Sequence, residues 1–186
     1  AETPAGMLNS VGLQNPGMDA LLNIYLPWLK GQDIVVIANA AGHSLEEYCA
    51  VAERLGDSTV DMVELNISCP NVKEGGALFG ASASGISSVV SACKKAATVP
   101  LIVKLSPNIG DIAAAAESAG ADALSLINTI TGMRIDIKTR RPILKNNTGG
   151  LSGPAVFPVA VRMVREVYKR VNVPIVGMGG ISSFED

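Results

Sequence analysis

Short runs rich in Val, Ile and Leu alternate along this chain with longer segments whose apolar residues recur at helical spacing, the pattern of βα units built on a parallel sheet. Six strands are predicted, at residues 8–13, 34–38, 62–67, 101–105, 123–127 and 174–178, with helices near 17–30, 44–56, 81–97, 109–119 and 154–171. Ser44-Leu-Glu-Glu47 has the form of a capping box, and Asp111 stands near another helix start. The segment from Thr131 to Gly150 breaks the rhythm. It is polar, carries Arg134, Lys138, Arg140 and Arg141, and is expected to be a long loop of the kind that serves a site.

Composition narrows the class. With 186 residues and 48% hydrophobic content the chain can bury a sizeable core and reads as one domain or part of one. A formal charge of -2, with Lys and Arg scattered, points to no nucleic acid and no anionic membrane. The apolar runs are much shorter than a membrane span, and no leader is expected. Three cysteines without a CxxC spacing suggest a reducing cytosol and no metal site. Cys49 and Cys93 fall in Ala-rich helical patterns and are expected to be small core residues. His43, the one histidine, precedes a helix and is expected at the surface.

Polar residues gather where predicted strands end: Asn39, the stretch Asn66-Ile-Ser-Cys-Pro-Asn71, Lys104 with Ser106, and Asn128 with Thr129. In a (β/α)8 barrel the active site occupies that face. Pro70 removes a backbone donor and restricts Cys69 towards extended geometry, fixing a thiol beside two amides. A carboxamide both donates and accepts, so paired Asn residues suit a ligand rim that alternates C=O and N–H, as a pyrimidine's does. A buried structural Cys after a strand is the alternative. Lys104, inside an apolar run, needs an anionic partner. That partner is either a ligand or a carboxylate of the barrel. Gly177-Met-Gly-Gly180, with Gly153 upstream, allows close backbone approach to a phosphate, although Gly pairs also mark ordinary turns.

Together with Asn9-Ser-Val-Gly-Leu13, Lys104-Leu-Ser-Pro-Asn108, Ile127-Asn-Thr129 and Asn147-Thr-Gly-Gly-Leu-Ser-Gly-Pro154, these motifs resemble class 1 dihydroorotate dehydrogenase. Ser68-Cys-Pro-Asn-Val-Lys-Glu-Gly-Gly76 and Ile137-Lys-Thr-Arg-Arg-Pro-Ile-Leu144 resemble the 1B, NAD-linked subtype. The resemblance covers nearly the whole chain. It implies an α/β fold, a (β/α)8 TIM barrel represented here without its first and last strands, so residues 1–186 are expected to be a single, incomplete barrel domain.

For activity, the resemblance implies FMN-dependent oxidation of dihydroorotate to orotate in pyrimidine biosynthesis, with Cys69 as general base. It assigns Asn9, Ser10, Val11, Gly12, Leu13, Asn66, Asn71, Asn128 and Thr129 to substrate, and Asn39, Asn66, Lys104, Ile127, Gly153, Gly179 and Gly180 to FMN. Lys104 would face the negative charge that a reduced flavin carries near N1 and O2. No GxGxxG opens a helix after a strand, so this chain is not expected to hold NAD itself; the resemblance implies a partner subunit with FAD and an iron-sulfur cluster, in a heterotetramer built on a homodimer, in the cytoplasm. Two other readings stay open. One is a dihydropyrimidine dehydrogenase-type domain reducing uracil or thymine; the other is a non-catalytic flavin-binding barrel fragment.

Overall fold

The computed structural model describes residues 1–67, 79–107 and 111–186, and Cys69, Asn71 and Asn108 lie outside them. Along the chain the strands are β1 (Glu2–Thr3), β2 (Gly6–Asn9), β3 (Ile37–Ala40), β4 (Met62–Asn66), β5 (Leu101–Lys104), β6 (Ala123–Leu126), β7 (Ile130–Gly132), β8 (Ile135–Asp136), β9 (Arg141–Pro142), β10 (Gly149–Ser152) and β11 (Ile175–Gly177). The α-helices are α1 (Met18–Ala20), α2 (Leu26–Lys30), α3 (Leu45–Gly56), α4 (Ala83–Ala96), α5 (Ile112–Ser118) and α6 (Phe157–Tyr168).

Five strands pair in parallel in the spatial order β3-β4-β5-β6-β11, each beside its sequence neighbour of that set. Residues in register share a face, because parallel pairing preserves the alternation of side chains. One face carries Ala38, Ala40, Val63, Leu65, Leu101, Val103, Leu124 and Leu126, all buried, with α3, α4 and α5 packed in sequence along the sheet. Burying a Leu side chain fully contributes about 1.5–3 kcal/mol, so this layer holds the sheet and helices together. The opposite face carries Ile37, Met62, Ile102 and Ala123 towards the strand starts and Asn39, Glu64, Asn66, Lys104 and Ser125 towards their ends.

At the starts of β3, β5 and β11 a carboxylate accepts a backbone N–H from a neighbouring segment. Asp61 takes that of Val36 at 2.7 Å, Asp122 that of Leu101 at 2.6 Å, and Glu117 those of Asn172 and Val173 at 2.7 and 3.1 Å. The capping box forms as the sequence predicts at its Ser: Ser44 Oγ accepts from Glu47 N at 3.2 Å. Glu47 reaches one residue further back, to the His43 N–H at 2.7 Å. His43 is exposed and Cys93 is fully buried. Burial and the neighbouring Cys49 push the Cys93 thiol up to about 12, which leaves it protonated and inert.

Three expectations need correction. The first predicted strand, 8–13, is not a barrel strand: β2 ends at Asn9 and pairs antiparallel with β1 and β10. Beyond it the backbone turns through Gly12 and Gly17, at φ 82 and 90, and Asn15 bridges the Leu13 carbonyl and the Gly17 N–H. The strand expected at 34–38 forms at Ile37–Ala40 because Asp33 turns the chain at φ 51 and Asp61 claims the N–H of Val36. Residues 131–150 are not one long loop. β7 and β10 sit in a second sheet of order β1-β2-β10-β7, and β8 pairs with β9.

The helix expected over 17–30 also forms in pieces, with a π-helical turn at Leu21–Tyr25 between α1 and α2. Pro27, in the first turn of α2, supplies no N–H, and the register ahead of it slips by one, so that Leu26 N donates to Leu21 O.

Candidate functional site

The side chains at the ends of the parallel strands converge because β3, β4, β5 and β6 run in one direction and in matched register. Asn39 stands opposite Glu64, Asn66 opposite Lys104, and Lys104 opposite Ser125. Glu64 is buried at 9% exposure, and Ser125 is fully buried. The Glu64 carboxylate accepts from Asn39 Nδ2 at 2.5 Å on Oε2 and from Ser125 Oγ at 2.6 Å on Oε1. Lys104 Nζ lies 4.0 Å from Oε2. The anionic partner that Lys104 required is therefore present within the protein, and the carboxylate itself is held by donors from two other strands.

One residue beyond this layer, Asn128 Nδ2 approaches Asn66 Oδ1 at 3.4 Å, and Asn128 Oδ1 accepts the Thr129 N–H at 2.8 Å. The Asn66 carbonyl accepts from the buried Tyr48 hydroxyl at 2.8 Å, which ties the end of β4 to α3. Asn128 N donates to Leu105 O at 3.1 Å, and Ile127 N to Met178 O at 3.0 Å, so the segment 127–129 is laced to the ends of β5 and β11. Asn66, Asn128, Thr129 and Lys104 thus occupy one rim.

Asn9 reaches the same neighbourhood by another route. In the antiparallel sheet Gly150 is in register with Asn9 on one side and Thr131 on the other, and Asn9 Nδ2 lies 3.5 Å from Gly150 O. A Cβ at Gly149 would strike the Asn9 carbonyl, and one at Gly150 would strike the Thr129 side chain. The two glycines let β10 press Asn9 towards Thr129. Ser10 O accepts weakly from Asn146 Nδ2 at 3.5 Å, while Val11 and Gly12 are exposed. Gly12 and Leu13 line an open cleft of about 740 Å³ that also takes in Asn39, Ala41, Gly42 and Asn66, a volume within the range of ligand sites.

The glycine loop after β11 closes the far side of the rim. Gly179 and Gly180 have φ of 123 and 75, values that suit glycine. A Cβ on Gly180 would lie 2.7 Å from the Gly153 carbonyl and 3.0 Å from the Phe157 N, and one on Gly179 would lie 3.3 Å from Ile127 Cγ1. The loop therefore packs directly on the start of α6, between Gly153 and Ile127. Backbone this close, at the N-terminus of a three-turn helix, is a suitable cradle for a phosphate.

Glu64, Ser125 and Tyr48 were not singled out from the sequence. Glu64 carried a usable signal, since it sits two residues before Asn66 and must share its face in any strand. Ser125 and Tyr48 carried none without the register of neighbouring strands.

A family model described as dihydroorotate dehydrogenase matches residues 1–186. Two similar relatives are named as the catalytic subunit of dihydroorotate dehydrogenase B (NAD(+)). That of Bacillus cereus strain B4264 is 55% identical over 190 residues, covering 100% of this chain and 62% of its own length. That of Geobacillus kaustophilus strain HTA426 is 56% identical over 190 residues, covering 100% and 61%. The chain thus spans about six-tenths of the length of these curated relatives. A crystal structure of the Amycolatopsis orientalis BexX/CysO complex matches with a TM-score of 0.51 and 19% identity, over 95% of this chain and 61% of that one, a likeness of fold alone.

Proposed function

The chain belongs to the dihydroorotate dehydrogenase family, a family of TIM barrels, and on that premise we propose that it carries the FMN site and part of the substrate site of a cytoplasmic enzyme oxidising dihydroorotate to orotate in pyrimidine biosynthesis. The observation that carries the reading is the convergence, on one rim, of an ammonium, several carboxamides and a glycine cradle. Polar edge recognition, charge stabilisation and phosphate binding are all available there.

The residues fit the cofactor. Gly153, Gly179 and Gly180 let the backbone after β11 pack against the start of α6, where a Cβ would clash, and the backbone N–H groups brought together there would hold a phosphate. Lys104 would offer a positive charge to the pyrimidine edge of the flavin, with Asn39, Asn66 and Ile127 around it. Bound FMN would supply the hydride acceptor. Asn66, Asn71, Asn128 and Asn9 would hold the substrate's alternating C=O and N–H groups, with Thr129 and residues 10–13 completing the pocket. Cys69, on the segment after β4, would take the proton from C5 as hydride leaves C6. Electrons would then pass through a partner subunit with FAD and an iron-sulfur cluster towards NAD, in a heterotetramer built on a homodimer.

The test is a visible spectrum of the full-length protein, recorded anaerobically with dihydroorotate and, separately, with uracil and a reductant. Oxidised flavin bands that bleach with dihydroorotate are expected. Absence of flavin, or turnover of uracil without response to dihydroorotate, would overturn the reading.

A further inference from the structure

The feature that the proposed chemistry leaves unused is the buried carboxylate of Glu64. It stands in the polar layer of four parallel strands, with Asn39 from β3, Lys104 from β5 and Ser125 from β6 around it. Burying an ion this deeply is costly unless its oxygens are occupied, and both are. The distances decide what it does. Asn39 and Ser125 hold it at 2.5 and 2.6 Å, whereas Lys104 remains at 4.0 Å, beyond an ordinary N–H···O bond. Asn39 bonds the same oxygen, Oε2, that lies nearest Lys104, and so takes up part of what that oxygen can accept from the side of β3, opposite the lysine on β5.

A contact ion pair would spend the ammonium's donors and turn it away from a ligand. A carboxylate held back by two neutral donors attracts the ammonium through its charge and leaves those donors available. We propose that Glu64 is a positioning residue that keeps the Lys104 ammonium aimed at the rim, with Asn39 competing for the oxygen nearest it. The proposal rests on the flavin reading for what Lys104 faces, but the arrangement of the pair does not.

The experiment therefore has two arms, both on the full-length protein. In the first, without cofactor, the reactivity of the Lys104 amine towards acetic anhydride is followed across pH by peptide mass spectrometry. Removing the carboxylate by Glu64→Gln is expected to raise the reactivity severalfold at a given pH, because the ammonium loses the charge that orients it. Asn39→Ala, which leaves Oε2 to Lys104 alone, is expected to lower the reactivity as Lys104 closes on that oxygen. If Glu64→Gln does not fold, Asn39→Ala decides alone. An unmoved profile overturns the proposal whether or not flavin binds.

In the second arm the flavin potential is measured for Glu64→Gln in the wild-type and Lys104→Met backgrounds. A shift to more positive potential that disappears with Lys104→Met is expected. An equal shift in both backgrounds means that Glu64 acts directly and overturns the positioning role. Absence of flavin from the wild-type protein sinks the functional reading and leaves the first arm to judge the pair.

Discussion

Two carboxylates meet a lysine across this sheet, one at each end of the parallel strands. Where strands begin, Asp122 bonds Lys94 Nζ at 2.6 Å and the Leu101 N–H at 2.6 Å, in a half-exposed setting. Where strands end, Glu64 is buried and its lysine stands at 4.0 Å, while an amide and a hydroxyl bond its oxygens. The closed pair ties the end of α4 to the start of β6, where the same carboxylate also holds the start of β5, and the open pair leaves a cation unspent. Rims of a barrel divide labour in this way because the N-terminal end has only to hold the fold, while the C-terminal end must keep groups available for something else. The clamps made by Asp61 and Glu117 belong to the first kind, and the Asn66–Asn128 contact belongs to the second.

If that division holds, variants at the two rims should move different observables. The largest effect is expected at Cys69. Cys69→Ala should slow flavin reduction by dihydroorotate about 10²–10⁴-fold, the range general bases contribute, with bound flavin and melting temperature unchanged. Stopped-flow bleaching at the wild-type rate would sink the assignment. Cys69→Ser should keep a residual rate that rises with pH, since a hydroxyl is the weaker acid. Gly180→Ala comes next. Its Cβ would meet the Gly153 carbonyl, so flavin retention after gel filtration should fall at least tenfold, with about 1–2 kcal/mol of backbone strain at φ 75.

At the other rim, Asp122→Asn should cost about 1–2 kcal/mol, mainly through the weakened bond to the Leu101 N–H, because a half-exposed ion pair contributes under about 1 kcal/mol after solvent screening. Flavin reduction should be unaffected. Burial acts to raise the Asp122 carboxyl, but hydrogen bonds from Lys94 and Leu101 outweigh it and hold the group below the ordinary Asp value. A depressed native value stabilises the fold above the unfolded pKa of about 3.9 and stops doing so as pH falls through the native value. Melting curves of wild type and variant should therefore differ fully near pH 6 and converge in strong acid. A constant gap would remove the carboxylate from the explanation. The smallest effect is expected from Tyr48→Phe, about 1 kcal/mol, since it deletes one bond to the Asn66 carbonyl. It straddles the rims and should raise KM for dihydroorotate slightly while lowering stability.

The rim was legible in the sequence wherever a polar residue followed an apolar run, as at Asn39, Asn66, Lys104 and Asn128, because strand ends in a parallel sheet all point one way. Strand direction was less legible. The alternation around Leu8 and Asn9 is the same for a parallel or an antiparallel strand, and only pairing with β10 decides it. The strands in 130–152 are two to four residues long, too short for periodicity to register amid Arg and Lys. Glu64 escaped because its meaning depends on two neighbours, Asn39 and Ser125, that are adjacent only once register is known.

The bond between Asn9 and Gly150 joins residues 141 apart, whereas Asn39 and Glu64 are separated by 25. Closing the longer loop costs about 1.5 kcal/mol more in chain entropy, at about 0.6 kcal/mol per doubling of length. The parallel strands can assemble from consecutive neighbours as the chain lengthens, but the wall that carries Asn9 must wait for residue 150 to arrive. On a ribosome, the wall that carries Asn9 is thus finished long after Asn9 itself is made. A chain stalled short of β10 would hold the strands β3 to β6 and an unformed binding wall.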